Sequence, residues 1–189
     1  VQTACPFCQS ILVRTDVELM NVGKVGDLPL TPSPISLLTE GQFKGRGFQV
    51  IGRLAYEYED GGWNEWHLLF SDGQSGWLSD AQLQYAVSFL QPPTKLPEHE
   101  KLQAGQSVTF NNITYQISTV TAAKYRGFEG ELPFPFYGID ETLFADLRSP
   151  GAQFGTIDYS EDEPMLFLGE WVSFDDLRLK NLREFEGWK

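Results

Sequence analysis

Apolar and polar residues alternate with a period of two along much of this chain, and that period predicts strands. In "FQVIGRLAYEYE" (48–59), Phe48, Val50, Leu54, Tyr56 and Tyr58 share one face; Gln49, Arg53, Glu57 and Glu59 share the other, with Ile51 and Ala55 as exceptions. "DGG" at 60–62 turns the chain into "WNEWHLLF", where Asn64, Trp66, Leu68 and Phe70 alternate with Trp63, Glu65, His67 and Leu69. The first set reads as core and the second as an outer face. Asp72-Gly73 is a hairpin signal, because both residue types tolerate the positive φ of a tight turn. "SGWLS" is then a third strand. "DAQLQY" predicts one helical turn near 80–84, capped by Ser79 or Asp80, before a closing strand "AVSFL".

The pattern breaks at "QPPTKLPEHEKL" (91–102), a proline-rich linker. Strand signals resume beyond it. "SVTF", an Asn111-Asn112 turn and "ITYQISTV" form one hairpin; "LFADLR", "SPGA" and "QFGTIDYS" form another, with Pro150-Gly151 at the centre of a type II turn. "MLFLGEWVSF" is the longest late strand. In the tail, Leu177, Leu179 and Leu182 suit the apolar face of a helix near 175–185. "GWLSDAQL" (76–83) resembles "EWVSFDDL" (170–177), and "GFQVIG" (47–52) resembles "TYQIST" (114–119), which points to an internal duplication. The expected fold is mainly β: two related antiparallel meander or small-barrel units, 41–90 and 103–189, with short helices. Residues 1–40, with "VGKVGDLPLTPSPIS", read as an extended N-terminal arm.

Composition narrows the partners. The chain carries 26 acids against 14 bases, a formal net charge of −12 over 189 residues. Such a surface does not displace counterions from phosphates, so no nucleic-acid partner is expected, and anionic membranes repel it. No apolar run has the length of a spanning helix, so no membrane insertion is expected, and residues 1–12 lack the basic start and long apolar block of a signal peptide. Two cysteines do not make a secreted disulfide framework, so the expected location is cytoplasmic.

Those two cysteines form the sharpest short motif. Cys5-Pro-Phe-Cys8 has the spacing of a zinc knuckle, which aims two thiolates at one metal. Tetrahedral zinc takes four ligands, so this is half a site. A redox pair is the rival reading, but no βαβ pattern surrounds the motif. The outer face of the first meander, with Arg53, Trp63, Glu65 and His67, is the candidate ligand or partner face. Aromatics near acids attract organic cations, although tryptophans at strand period also serve as core and hairpin pairs. His67 with Glu65 or Asp72 is the candidate catalytic grouping. Arg53 is expected to pair with Glu65 or Asp72. The acids of "DYSEDEP" (158–164) read as a solvated turn, because they lack calcium-loop spacing.

The segments "CPFCQSILVR", "GRGFQVIGRLAYEYEDGGWNEWHLLFSDGQSGWLSDAQLQY" and "GELP" resemble the bacterial domain of unknown function 4178 family. Cys5, Cys8, Phe48, Val50, Gly52, Arg53, Trp63 to Trp66 and Gly76 to Leu78 occupy its motif positions, over a stretch from Cys5 to about Phe89. The resemblance implies no activity. It implies paired cysteine knuckles, of which one is present, and an accessory role near membrane proteins and aminopropyltransferase-like enzymes of polyamine metabolism. The expected function is therefore a non-catalytic interaction or scaffold module with a protein partner. The alternatives are binding of a small cationic ligand such as a polyamine, and an enzyme using His67.

Overall fold

In a computed structural model, which describes residues 2–4, 10–14, 19–24, 33–134 and 141–184, the alternating segments form thirteen antiparallel strands. Three short strands come first: β1 (Gln2–Ala4), β2 (Ser10–Arg14) and β3 (Leu19–Lys24). The first meander follows as β4 (Glu40–Phe43), β5 (Arg46–Tyr58), β6 (Gly61–Phe70), β7 (Ser75–Ala81) and β8 (Gln84–Leu90). The second comprises β9 (Ser107–Phe110), β10 (Ile113–Leu132), β11 (Thr142–Arg148), β12 (Gln153–Asp158) and β13 (Met165–Val172). Among the described residues no helix is long and apolar enough to cross a membrane.

The two meanders join edge to edge. β8 pairs with β13, Leu90 lying opposite Phe167. The 20-residue strand β10 pairs with β11 over residues 116–123 and with β5 over residues 124–130. Four strands from each half thus close one ring, β5-β6-β7-β8-β13-β12-β11-β10. Pairing every ring edge removes the open backbone groups an isolated meander would present. β4 extends the start of β5, β9 the start of β10, and β1 the end of β10.

Both faces of the ring are buried. The outward face of the first half carries Val50, Trp66, Leu68, Phe70 and Leu78, and residues 33–43 and 174–182 cover it. The outward face of the second half carries Tyr115, Ile117, Leu147 and Ile157; the 91–102 linker covers it with Leu96 and Leu102. A third cluster, with Leu54, Tyr56, Trp77, Phe128, Phe144 and Phe167, fills the ring's interior.

A β-bulge decides which residues of β5 face inward. Val50 lies opposite Leu68 and Gly52 opposite His67, so Ile51 is an extra residue with no partner. The period-two register flips there. Phe48 and Val50 therefore enter the outward core, whereas Leu54, Tyr56 and Tyr58 enter the interior. The single apolar face read from the sequence is split between opposite sides of the sheet.

The predicted helices are corrected. Ser79, Asp80 and Ala81 belong to β7, and Gln82 and Leu83 take φ of 50° and 66°, a left-handed two-residue turn into β8. Among the described residues of the tail only Asp175–Leu177 winds, as a single 3-10 turn, and Arg178 at φ 46° ends it. Leu177, Leu179 and Leu182 still pack on the outward core, from an extended segment whose Lys180 bridges to Glu40. The expected turns at Asn111-Asn112 and Pro150-Gly151 are present, with positive φ at both asparagines and at Gly151.

Candidate functional site

Strand register sends Trp63 and Glu65 of β6 inward, the reverse of the expected outer face. Glu65 lies opposite Leu54 on β5 and Ser79 on β7. Its carboxyl accepts bonds from Trp63 Nε1 at 3.0 Å and from Ser79 Oγ at 3.0 and 2.9 Å. Aromatic rings enclose it. Trp63 stacks on Tyr56 with centroids 4.9 Å apart, and Phe144 meets both edge-on at 5.0 and 5.3 Å. Leu54, Tyr56, Trp77, Phe144 and Phe167 wall a cavity of about 40 Å³ that reaches Glu65, room for roughly one to three waters.

The second half adds two more carboxyls to this interior. Thr156 and Asp158 of β12 line the same cavity. Asp146 of β11 shares the face of Phe144 and accepts a bond from Thr119 Oγ1 at 3.1 Å. Asp158 accepts from the Ser160 amide at 2.8 Å. No ion pair joins any of the three among the described residues. Burial disfavours their charged forms. It pushes Glu65 up to about 8 against the opposing Ser79 bond, and Asp158 up to about 6 against Ser160. Asp146 is raised by the same cause.

A larger pocket of about 530 Å³ opens at one end of the ring, lined by Ser75, Leu90, Pro133, Glu161 and Met165 at strand ends. It shares Trp77, Phe134 and Phe167 with the inner cavity. Its size suits a small organic molecule.

Of the other two residues of the expected face, His67 turns inward with Glu65 and packs on Trp77, ring centroids 5.2 Å apart, whereas Arg53 lies on the opposite side of the sheet. Arg53 is 3% exposed and, beyond the bulge, points to the outward side with Trp66. Its Nε donates to Asn64 Oδ1 at 2.8 Å, and its guanidinium pairs with Glu129 at 3.1 Å. The guanidinium also lies 5.3 Å from the Trp66 ring, whose Nε1 donates to buried Asp80 at 3.2 Å. The partner is thus Glu129, not Glu65 or Asp72; Asp72 pairs with Arg46 at 2.6 Å in an exposed hairpin.

His67 is also 3% exposed. Its Nδ1 lies 2.8 Å from the Glu131 carbonyl and its Nε2 3.0 Å from Ser75 Oγ. The carbonyl reaches it because Gly52 stands beneath; a Cβ on Gly52 would lie 2.0 Å from Glu131 O. Since a carbonyl only accepts, Nδ1 carries the proton and Nε2 accepts from the serine. Burial holds the imidazole below its ordinary pKa. Long-range proton–nitrogen spectra at pH 7 are expected to show a neutral Nδ1–H ring; a doubly protonated ring at pH 6.5 would overturn this assignment.

The acids of 158–164 divide. Asp158 is an interior group, while Glu161, Asp162 and Glu163 are exposed in the turn, as expected. Cys5 and Cys8 lie outside the described residues. Among the described residues no group of three His, Cys, Asp or Glu side chains is placed to hold a metal.

Comparison with curated proteins and with solved structures finds no match. A family model does match, and it spans the complete strand ring. That model is described as a domain of unknown function (DUF4178), it covers residues 39–174, and the chain belongs to this family.

Proposed function

We propose that the chain is a non-catalytic binding module whose ring interior receives a small organic cation. One observation carries this reading: the Glu65 carboxyl lies at the foot of an aromatic-walled cavity that adjoins a 530 Å³ pocket open at the ring's end. Aromatic faces and carboxyls attract an ammonium group together. The apolar lining around Trp77, Phe134 and Phe167 suits the ligand's body. Glu161 at the mouth and the net charge of −12 favour approach of a cation.

The non-catalytic reading is supported by where the candidate catalytic groups are held. His67 spends both ring nitrogens on structural bonds, Asp72 is tied to Arg46, and Glu65 is bonded to Trp63 and Ser79. A scaffold role toward a protein partner extends the proposal and rests on the family resemblance. Zinc at Cys5 and Cys8 is a separate proposal, resting on the Cys-x-x-Cys spacing alone.

Titration calorimetry with spermidine and with 2-phenylethylamine tests the cation site. Saturable binding is expected, stronger at 20 mM than at about 150 mM salt because attraction between charges is screened. Trp77→Ala is expected to weaken it at least tenfold. Absence of heat above dilution for both amines would end the reading, as would unchanged affinity in Trp77→Ala.

A further inference from the structure

Two carboxyls line one cavity, and among the described residues no cation is bonded to either: Glu65 approaches from β6 and Asp158 from β12, while half-buried Asp146 of β11 lies close enough to act on the Glu65 charge. Titratable or charged groups of the ring around them include Tyr56 on β5, His67 on β6, Tyr125 on β10 and Arg148 on β11; His67 lies against Trp77 at 5.2 Å with both ring nitrogens bonded, and Glu161 stands at the mouth. Arg148 sits against Trp171, 4.8 Å from its ring, and donates to none of the three carboxyls. Carboxylates buried close together without a paired cation do not all ionise, so this interior retains protons.

The interior also holds an unsatisfied polar atom. Thr142, 7% exposed, lies opposite Ala123 and two residues from Phe144, on the ring's inward face. Among the described residues its hydroxyl has no hydrogen-bond partner, and a buried hydroxyl of this kind can take a bond from a further polar group.

We infer that the site exchanges a proton for its ligand: an ammonium group entering the interior replaces the proton on the Glu65 carboxyl, so capture of the amine and release of a proton to solvent are one event. This rests on the reading of the interior as an amine site. The carboxylate that forms keeps two donors in place, Trp63 Nε1 and Ser79 Oγ, and gains the ammonium as a third. Acidification then returns the proton and expels the amine. Glu65 is the group in question because its carboxyl meets the cavity with its donors already arranged to stabilise a negative charge.

Calorimetry of the intact chain with 2-phenylethylamine, in phosphate and in Tris at the same pH, reads the proton directly. The two buffers differ in ionisation enthalpy, and 2-phenylethanol serves as the neutral control. About one proton per amine is expected near pH 7, with affinity rising up to about tenfold per pH unit between pH 6 and 8 and levelling above. Glu65→Gln should retain its circular dichroism spectrum and lose both the proton and the pH dependence. Ser79→Ala, which removes one donor to the charged form, should move the rise to higher pH. Amine binding with identical heats in the two buffers would overturn the inference and leave the cation site standing. Proton release that persists in Glu65→Gln would overturn the assignment to Glu65. No amine binding at any pH would overturn the site itself.

Discussion

Glu65→Gln is expected to be more stable than the parent chain above pH 7 and to lose the upper part of its pH dependence. The folded protein holds the Glu65 proton up to about pH 8, whereas the ordinary value is 4.5. Between those values the folded state binds more protons than the unfolded one, so stability falls as pH rises. For this group alone the loss is on the order of 3 kcal/mol by pH 7. Asp158, pushed up to about 6, acts in the same direction at lower pH, Asp146 is raised by the same cause, and both remain in the variant. The parent's urea midpoint should therefore fall continuously from about pH 5 to pH 8, and the variant's should fall less steeply between pH 6 and pH 8. Glutamine supplies an oxygen for Trp63 Nε1 and an amide for Ser79 Oγ, so the hydrogen bonds survive the change. Parallel curves for the two proteins would show that Glu65 is ionised in the folded state.

The second large effect is at Arg53. Arg53→Ala is expected to lower stability by about 3–5 kcal/mol, the range for removing one partner from a buried charged network. The reason is what remains behind. Asn64 Oδ1 loses its donor, and Asp80, whose charged form burial already disfavours, loses a nearby positive charge. Glu129→Gln should lower stability by less than about 1 kcal/mol, because that partner is 37% exposed and water replaces the bond. Arg53→Lys should fall between the two, since a lysine cannot repeat the planar fork that meets Asn64 and Glu129 together. Urea unfolding at pH 7 measures all three; equal losses for Arg53→Ala and Glu129→Gln would place the energy in the ion pair instead.

Much of the first half was legible because its signals are local. Alternation located β5, β6 and β7, and "DGG" and Asp72-Gly73 marked their turns. The bulge also left a trace: Ile51 breaks the alternation immediately before Gly52, and a glycine inside a strand signals a bulge or a close backbone approach. What period two does not reveal is which face becomes enclosed. In "FADLR" and "TID" the acids Asp146 and Asp158 fall with Phe144 and Thr156, opposite Leu147 and Ile157, as on any half-solvated strand. Only closure through β10 and β5 turns that polar side inward. The same closure reverses Trp63 and Glu65, which sequence reasoning selected but placed facing out. The "DAQLQY" helix failed for a different reason: Gln82 and Leu83 are poor turn residues, and the pairing of Ala81 with Gln84 imposes the turn on them. The family signal was clear up to about Phe89, yet the family match runs from 39 to 174, through the half whose motifs are weaker.

Because the ring closes through β8–β13 and β5–β10, synthesis imposes an order on its assembly. The first four ring strands leave the ribosome with β8, and β5 beyond the stretch that β4 covers, unpaired along their outer edges and the rings of Tyr56, Trp63 and Trp77 without their facing wall. Their partners arrive only with residues 124–172, so the nascent first half waits as an open sheet with two adhesive edges. Long-range β pairing of this kind is slow and leaves open edges exposed to other chains until the second half arrives.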